Sequence, residues 1–282
     1  MNLREAVTQA TTQLKASPDL CADANRDAVL LLLHMLGIAR ATLHADPYRI
    51  LTGNEQIHYD SLIQRRLTNE PIQYITGEQE FYGLTLHVTP AVLIPRPETE
   101  HLVEAVLAEL ESTASLHILD VGTGSGAIAI ALAHHLPNAY VTAVDISAAA
   151  LEVAVRNAVR HNLSNRIQFV ESDLLAAIST EARFDAIVSN PPYVAVEDYA
   201  TLHPQVRDFE PGTALFAGHG GINIYQRLIP QARVALKPHG LLALEIGHNQ
   251  LDAITGLLQD WDGHRFVDDL QHIPRVALAR KP

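Results

Sequence analysis

The stretch HILDVGTGSGAIAIALAHHL, His117 to Leu136, is where the architecture of this chain can first be read. HILDV is a short apolar run of strand length, DVGTGSG (Asp120 to Gly126) is a glycine turn, and AIAIALAHHL is apolar at every turn of a helix. A strand that passes through glycines into a helix is the opening unit of a βαβ fold. The glycines let the backbone approach a ligand closely, and the helix N-terminus adds a positive partial charge. The spacing is GxGxG, with glycines at 122, 124 and 126. That is neither the GxGxxG of a dinucleotide fold nor the GK[ST] of a P-loop, so a dehydrogenase and an NTPase are disfavoured.

Outward from this unit the alternation continues. YVTAVD, RIQFVES, FDAIVSN and GLLALEIG (Gly240 to Gly247) read as further strands, SAAALEVAVRNAVRHN as a second helix, and HRFVDDL and RVALARK as a closing pair. Strand–helix repetition implies a parallel sheet covered by helices on both faces. Residues 1–75 read differently, as helices only. Leu3, Val7, Ala10 and Leu14 form a stripe broken at Ser17-Pro18. A second helix runs from about Ala24 to Met35, with Gly37 as its C-cap, and a third from about Glu55 to Leu67, with Ile57, Leu62, Ile63 and Leu67 apolar. Between the two parts, GEQEFYGLTLHVTPAVLIPRPETE (Gly77 to Glu100) alternates as a strand in LTLHV and VLI, and predicts a β-hairpin bridge.

At 282 residues the chain fits one large domain and a small one. Hydrophobic residues make up 48% and charged residues 18%, an ordinary soluble balance. Cys21 is the single cysteine, so no internal disulfide forms, which suits a reducing cytosol and predicts a cytoplasmic protein. The longest apolar run near the N-terminus, VLLLLHML (Val29 to Leu36), falls far short of a membrane span. A net charge of −12 disfavours a non-specific nucleic-acid binder, which needs a basic face to displace counterions. The 15 histidines are scattered, with His134-His135 the one adjacent pair and no HExxH or CxxC, so no metal is expected.

Three features point to the ligand and its substrate. Asp145 ends the second strand, where a carboxylate accepts from both ribose hydroxyls of an adenosine; it also precedes Ser147, so helix capping is a second use for it. Asp173 and Leu174 end the third strand, where an apolar side chain packs on an adenine ring with the acid near its amino group. The third feature is SNPPY, Ser189 to Tyr193, after the strand FDAIV. Two prolines cannot extend a sheet, so the strand stops and presents Asn190 in a stiff turn. The Asn190 side-chain carbonyl and the Pro191 backbone carbonyl suit an NH₂ group on a planar substrate, held rigidly by Pro191 and Pro192, with Tyr193 to stack on it or exclude water.

DVGTGSG followed by the acidic strand end resembles the Rossmann-like methyltransferases that bind S-adenosylmethionine. The motif [NDS]PP[YFW] is shared by methylases of adenine amino groups and of glutamine side chains. The longer match is specific. DAVLLLLHMLGIAR, RRLTNEPIQYITGE, GEQEFYGLTLHVTPAVLIPRPETE, DVGTGSG, SNPPY and FEPGTALFAGHGG together resemble the release-factor glutamine methyltransferases over nearly the whole chain.

That resemblance implies a mostly parallel seven-stranded α/β sheet with an antiparallel edge strand. It implies a helical bundle at 1–75 that binds the substrate protein, a hairpin linker at 76–98 and a methyltransferase domain at 99–282. The activity implied is methyl transfer from S-adenosylmethionine to the amide nitrogen of the Gln in the Gly-Gly-Gln motif of class I peptide chain release factors, leaving S-adenosylhomocysteine. The alternative is an adenine amino-group methylase acting on nucleic acid. The implied cofactor residues are Gly122, Thr123, Gly124, Ser125, Gly126, Asp145, Asp173, Leu174 and Asn190; the implied catalytic residues are Asn190, Pro191, Pro192 and Tyr193, which also grip the substrate with Arg96 and Glu98. Pro95, Pro97 and Thr99 border the same pocket, an interdomain ion pair being a second use for Arg96 and Glu98. Phe81, Tyr82 and Gly83 are expected to pack a hinge, and Glu210-Pro211 to shape a loop over the site. A monomer is expected, with neither membrane nor direct nucleic-acid contact. One departure stands in the later loop: the family usually has Asp-Gly where this chain has Gly220-Gly221.

Overall fold

The computed structural model describes residues 1–181 and 183–282. They divide into two compact units, Met1–Glu78 with Leu202–Phe209, and Gln79–Thr201 with Glu210–Pro282.

In the first unit the helices are α1 (Leu3–Lys15), α2 (Ala24–Leu36), α3 (Arg40–Ala45), α4 (Gly53–Leu67) and α5 (Ile72–Thr76). Capping boxes start α1 and α4: Asn2 and Glu5 bond each other's backbone N–H, as do Thr52 and Glu55. Gly37 closes α2 in the left-handed conformation expected of a C-cap glycine. Leu3, Leu14, Leu31, Leu32, Tyr59 and Ile63 share one core. Ile57 does not join it. It is 71% exposed, and Tyr59 turns inward instead, its hydroxyl donating to the Ala28 carbonyl at 2.8 Å. Two polar side chains are buried there as a pair, Arg66 Nε donating to Asp27 at 2.7 Å. The segments α3 and α5 are too short to show a helical period in the sequence.

The second unit opens with a two-stranded hairpin, β1 (Glu78–Phe81, whose first residue falls in the other unit) and β2 (Leu84–His87). The expected strand VLI is not one: Val92 to Ile94 carry no ladder, and β1 supplies the partner of LTLH. Phe81 is fully buried in the core, and Tyr82 and Gly83 form the turn at positive φ. Asn157 holds β2 as a neighbouring strand would, accepting from His87 N–H at 2.7 Å and donating to the His87 carbonyl at 2.9 Å.

Then come α6 (Pro97–Glu109), β3 (His117–Val121), α7 (Ala127–His135), β4 (Tyr140–Asp145), α8 (Ala148–Arg160), β5 (Ile167–Glu171) and β6 (Phe184–Ser189). After β6 the chain forms α9 (Pro204–Arg207, within the first unit), α10 (Gly212–Leu215), α11 (Asn223–Ala235), β7 (Leu236–Glu245), α12 (Leu251–Leu257), β8 (Asp262–Asp268) and β9 (Pro274–Arg280). The large sheet runs β5-β4-β3-β6-β7-β9-β8. Its first five strands are parallel, and β9 is antiparallel to both β7 and β8, so the antiparallel strand lies one in from the edge that β8 closes.

Both faces of the sheet are covered, which is why its strands read as unbroken apolar runs. Ile118, Ala186, Val188, Leu241 and Val276 face one core with α6 and α7; Leu119, Ile187, Leu242 and Ala277 face the other with α11 and α12. The alternation is that of the pleat. Every residue of α7 from Ala127 to Ala133 is buried, as its all-round apolar sequence requires. Among the described residues no helix is long and apolar enough to cross a membrane.

Candidate active site

The chain leaves β3 for β4 on one side and returns to pair β6 on the other, so β3 and β6 flank a topological switch point. Ligands of open α/β sheets bind at the carboxyl ends there. Val121 and Ser189 end the two strands side by side, and the Ser189 hydroxyl donates to the Val121 carbonyl at 2.6 Å. The glycine turn continues the chain from Val121, and NPPY continues it from Ser189.

The glycine turn is built from inside. Gly122 N–H and Thr123 N–H both donate to the Val144 carbonyl, at 2.8 and 2.9 Å. Thr123 and Ser125 point inward and are buried; the Thr123 hydroxyl donates to Asp120 at 2.6 Å. Asp120 is fully buried, which pushes its carboxyl up to about 7, against the hydrogen bonds from Thr123 and Ala129 N–H. Gly122, Gly124 and Gly126 all have positive φ. A Cβ on Gly126 would press on Ile130 and Ala154 at 3.1 and 3.2 Å, so this glycine serves close helix packing, while a Cβ on Gly124 would meet nothing. Asn157 ties the turn to the hairpin through a 2.9 Å bond to the Ser125 carbonyl.

Asp145 serves two backbone groups at once. Its carboxylate accepts from Gly124 N–H at 2.8 Å and from Ser147 N–H at 2.9 Å, and Ser147 in turn caps α8. Burial pushes this carboxyl up, opposed by those same hydrogen bonds. Asp173 pairs with Arg227 at 2.6 Å, and Leu174 beside it has φ of +51°.

These residues line a cavity of ≈350 Å³, within the range of small-molecule sites. Gly122 to Ser125, Asp145, Ile146, Asp173, Leu174, Asn190, Pro192, Pro95, Arg96 and Thr99 are on its wall. Gly126, Pro97, Glu98, Pro191 and Tyr193 are not. Gly126 is sealed by α7 and α8, and Glu98 is exposed in the first turn of α6. The ion pair of Arg96 is not made between the two units. Its partner is Glu210 of the same unit, at 2.6 Å, a carboxyl that burial raises against the pull of that guanidinium.

Asn190 is half-buried, and its Nδ2 donates to the Thr99 hydroxyl at 3.0 Å. Tyr193 turns away from the cavity: its hydroxyl donates to Glu245 Oε1 at 3.3 Å, and burial raises its pKa far above the ordinary phenol value. Gln250, buried, donates to the carbonyls of Tyr193 (3.1 Å) and Gly221 (3.0 Å) and accepts from Gly247 N–H at 2.9 Å. Glu245, Gln250, Asn157 and Arg227 escaped the sequence reading. The first had a signal, a charge ending the apolar strand LLAL; so did Asn157, a polar residue on the apolar face of α8. Gln250 and Arg227 had none, since they are ordinary polar residues in polar surroundings.

The cavity fits S-adenosylmethionine. Gly122 and Gly124 bring backbone without a Cβ to its wall, Asp145 sets a carboxylate at the end of β4, and Ile146, apolar yet 60% exposed, leaves a bare apolar surface. The fold and this cradle define a Rossmann-like methyltransferase. Residues 99–206 match the methyltransferase small domain, and residues 5–77 match the PrmC N-terminal domain. The structure of the Thermus thermophilus 16S rRNA N2 G1207 methyltransferase RsmC, in complex with AdoMet and guanosine, superposes with a TM-score of 0.56 over 73% of this chain and 50% of that one. At 23% identity this likeness concerns the fold alone. The release factor glutamine methyltransferase of Koribacter versatilis is 48% identical, covering 100% of this chain and 99% of its own; that of Chlorobaculum tepidum is 45% identical, covering 86% and 83%. The chain belongs to the release factor glutamine methyltransferase family.

Proposed function

We propose that this enzyme methylates the side-chain amide nitrogen of the glutamine in the Gly-Gly-Gln motif of class I peptide chain release factors, releasing S-adenosylhomocysteine. The observation that carries the reading is Asn190. It stands at the switch point, on the cavity wall, with its NH₂ donating to Thr99 and no bond to its carbonyl oxygen among the described residues. That oxygen, with the Pro191 carbonyl, accepts the two N–H bonds of a substrate amide.

S-adenosylmethionine, when bound, supplies a methyl group activated by its sulfonium sulfur. The remaining work is orientation. An amide nitrogen is a poor nucleophile because its lone pair is delocalised into the carbonyl. Two fixed acceptors hold the nitrogen in line, and the rigid Pro191-Pro192 turn keeps that geometry from relaxing. Gly122 to Ser125 and Asp145 hold the amino-acid and ribose portions, and Asp173 and Leu174 flank the adenine. Arg96 borders the substrate side, anchored by Glu210. Tyr193 supports the site from outside the cavity, through its bond to Glu245.

A single glutamine side chain offers too little contact for specificity, so the helical unit takes part in gripping the release factor. The enzyme works as a cytoplasmic monomer and needs neither a metal nor direct contact with nucleic acid.

The test is transfer of labelled methyl to three substrates: a release factor, the same factor with its motif Gln changed to Ala, and unmethylated DNA. Label on the intact factor alone is expected. Label on DNA, or none on the factor, would discard the substrate. Asn190→Ala is expected to lower kcat on the order of 10²- to 10³-fold, the size of one well-placed polar group.

A further inference from the structure

We infer that Arg227 and Gln231, one turn apart on α11, are positioning residues for the cofactor's nucleobase: together they clamp the turn at 172–175, so that Asp173 and Leu174 stand on the cavity wall. This rests on the reading that Asp173 and Leu174 flank the adenine.

Leu174 is the strained point. Its φ is +51°, a left-handed backbone that a leucine rarely adopts and that glycine would hold at less cost. Such a conformation persists only where the surroundings over-determine it, and it gathers at ligand sites. Two adjacent leucines are parted there: Leu174 lines the cavity, while Leu175 is buried in the core that holds Leu228 and Ala232 of α11.

The turn is tied on both sides of Leu174. Before it, Ser172 N–H donates to the Asp145 carbonyl at 2.9 Å, and the Asp173 carboxylate accepts from Arg227 Nη2 at 2.6 Å. After it, Leu175 N–H donates to Gln231 Oε1 at 3.1 Å. Arg227 and Gln231 are four residues apart and share a face of α11; Ile224, three residues before Arg227, lines the cavity with it. One helix face thus supplies a wall residue, a hold on the side chain before Leu174 and a hold on the backbone after it.

The Arg227–Asp173 pair is about half exposed on both sides, where an ion pair adds little to the stability of a fold. Its use is orientation. Asp173 gives Oδ2 to Arg227 and keeps Oδ1, which has no bond among the described residues, as an acceptor at the cavity wall for the 6-amino group of an adenine. Without the guanidinium, a half-exposed carboxylate is free to turn to water.

The experiment is calorimetric binding of two probes to the full-length chain: S-adenosylhomocysteine, and its purine analogue, which lacks the 6-amino group. Wild type should prefer the first by about tenfold or more, because the analogue leaves Asp173 unpaired. Arg227→Met should cut that preference to about threefold or less, and Arg227→Lys should restore most of it. Gln231→Met, which withdraws the acceptor from Leu175 N–H, should raise the Kd of both probes about 3- to 10-fold alike. Leu174→Gly should weaken both by about tenfold, through loss of the apolar wall. In that variant Gln231→Met should cost almost nothing further, because glycine holds a left-handed backbone without a clamp. An unchanged preference in Arg227→Met, or full additivity of Gln231→Met with Leu174→Gly, would overturn the clamp while leaving the adenine site standing. Normal affinity in Leu174→Gly, with no preference between the probes in wild type, would instead remove the reading on which the clamp rests. Should Gln231→Met fold poorly, judged by its thermal midpoint, the Arg227 pair decides alone: equal preference in Arg227→Met and Arg227→Lys overturns it.

Discussion

A Cβ atom on Gly221 would fall on the carbonyl oxygen of Tyr193. The last residue of NPPY is therefore packed against a loop residue distant in sequence, and only a glycine allows the approach. Its neighbour Gly220 has similar backbone, φ +68° against +70°, but open space where a Cβ would go. The two positions separate conformational strain from collision. Gly220→Ala should cost about 1–2 kcal/mol, the penalty of a left-handed L-residue. Gly221→Ala should cost about 1–3 kcal/mol more, the penalty of forcing atoms into a packed site, and should lower kcat as well. Urea unfolding and turnover of both variants check this. Equal midpoints would mean the loop yields freely. The positive φ at Gly220 suits glycine, while the open space there would admit a side chain that tolerates that backbone.

Gln250 holds the same junction with three backbone bonds. Gln250→Ala should destabilise by about 1–3 kcal/mol, because buried polar groups lose their partners. Gln250→Glu should be worse despite its matching shape. It sets a carboxylate oxygen against the Tyr193 and Gly221 carbonyls, where acceptor meets acceptor. Thermal midpoints ranking wild type above Ala above Glu would bear this out, and a Glu variant as stable as wild type would contradict it.

Asp145 spends both oxygens on backbone N–H groups of the cradle. Asp145→Asn keeps one acceptor, turns the other into a donor and removes the charge. The Kd for S-adenosylmethionine should rise roughly 10- to 100-fold, the worth of a charged hydrogen bond. At saturating cofactor kcat should change little, since the reacting nitrogen is held elsewhere. Calorimetry and saturation kinetics separate the two.

Asp120 makes stability depend on pH. Burial raises its folded-state pKa to about 7, with Asp145 the nearby like charge, while the unfolded value is about 3.9. Between those values the folded state binds more protons than the unfolded one, so this group's contribution falls as pH rises from roughly 4 to 7 and is level above. Asp120→Asn keeps an acceptor for Thr123 and Ala129 and removes the titration. The difference in unfolding midpoint, Asn variant minus wild type, should therefore increase from pH 5 to pH 7.5. A constant difference would place the Asp120 pKa outside that range.

Much of this was legible beforehand because it is local or periodic. The strands His117–Val121, Tyr140–Asp145 and Phe184–Ser189 announced themselves as apolar runs, since a sheet buried on both faces demands apolar residues at every position. Gly37 and Ser147 were legible as caps because capping is satisfied within a few residues. Ile57 misled because an apolar residue on a helix only suggests a face. Which face is buried depends on what packs there, and Tyr59 filled that place. The segment Val92 to Ile94 misled for a similar reason: strand-like composition does not by itself make a ladder, and Val92 N–H bonds the Thr89 carbonyl of a turn instead.

Chain chemistry alone was enough for the alternating α/β order, the helical first unit, the glycine cradle and the stiff Asn190 turn. Each is dictated by residues close in sequence, through periodicity, backbone freedom at glycine and its loss at proline. The folded arrangement was needed for everything joining distant segments: Thr99 on Asn190, Glu245 behind Tyr193, Gln250 across Tyr193 and Gly221, and Arg96 on Glu210. These are hydrogen bonds and ion pairs with steep distance and angle requirements. Their partners lie on different strands and helices, so no spacing in the sequence encodes them. They exist because the switch point of the sheet brings β3, β6 and β7 to one end.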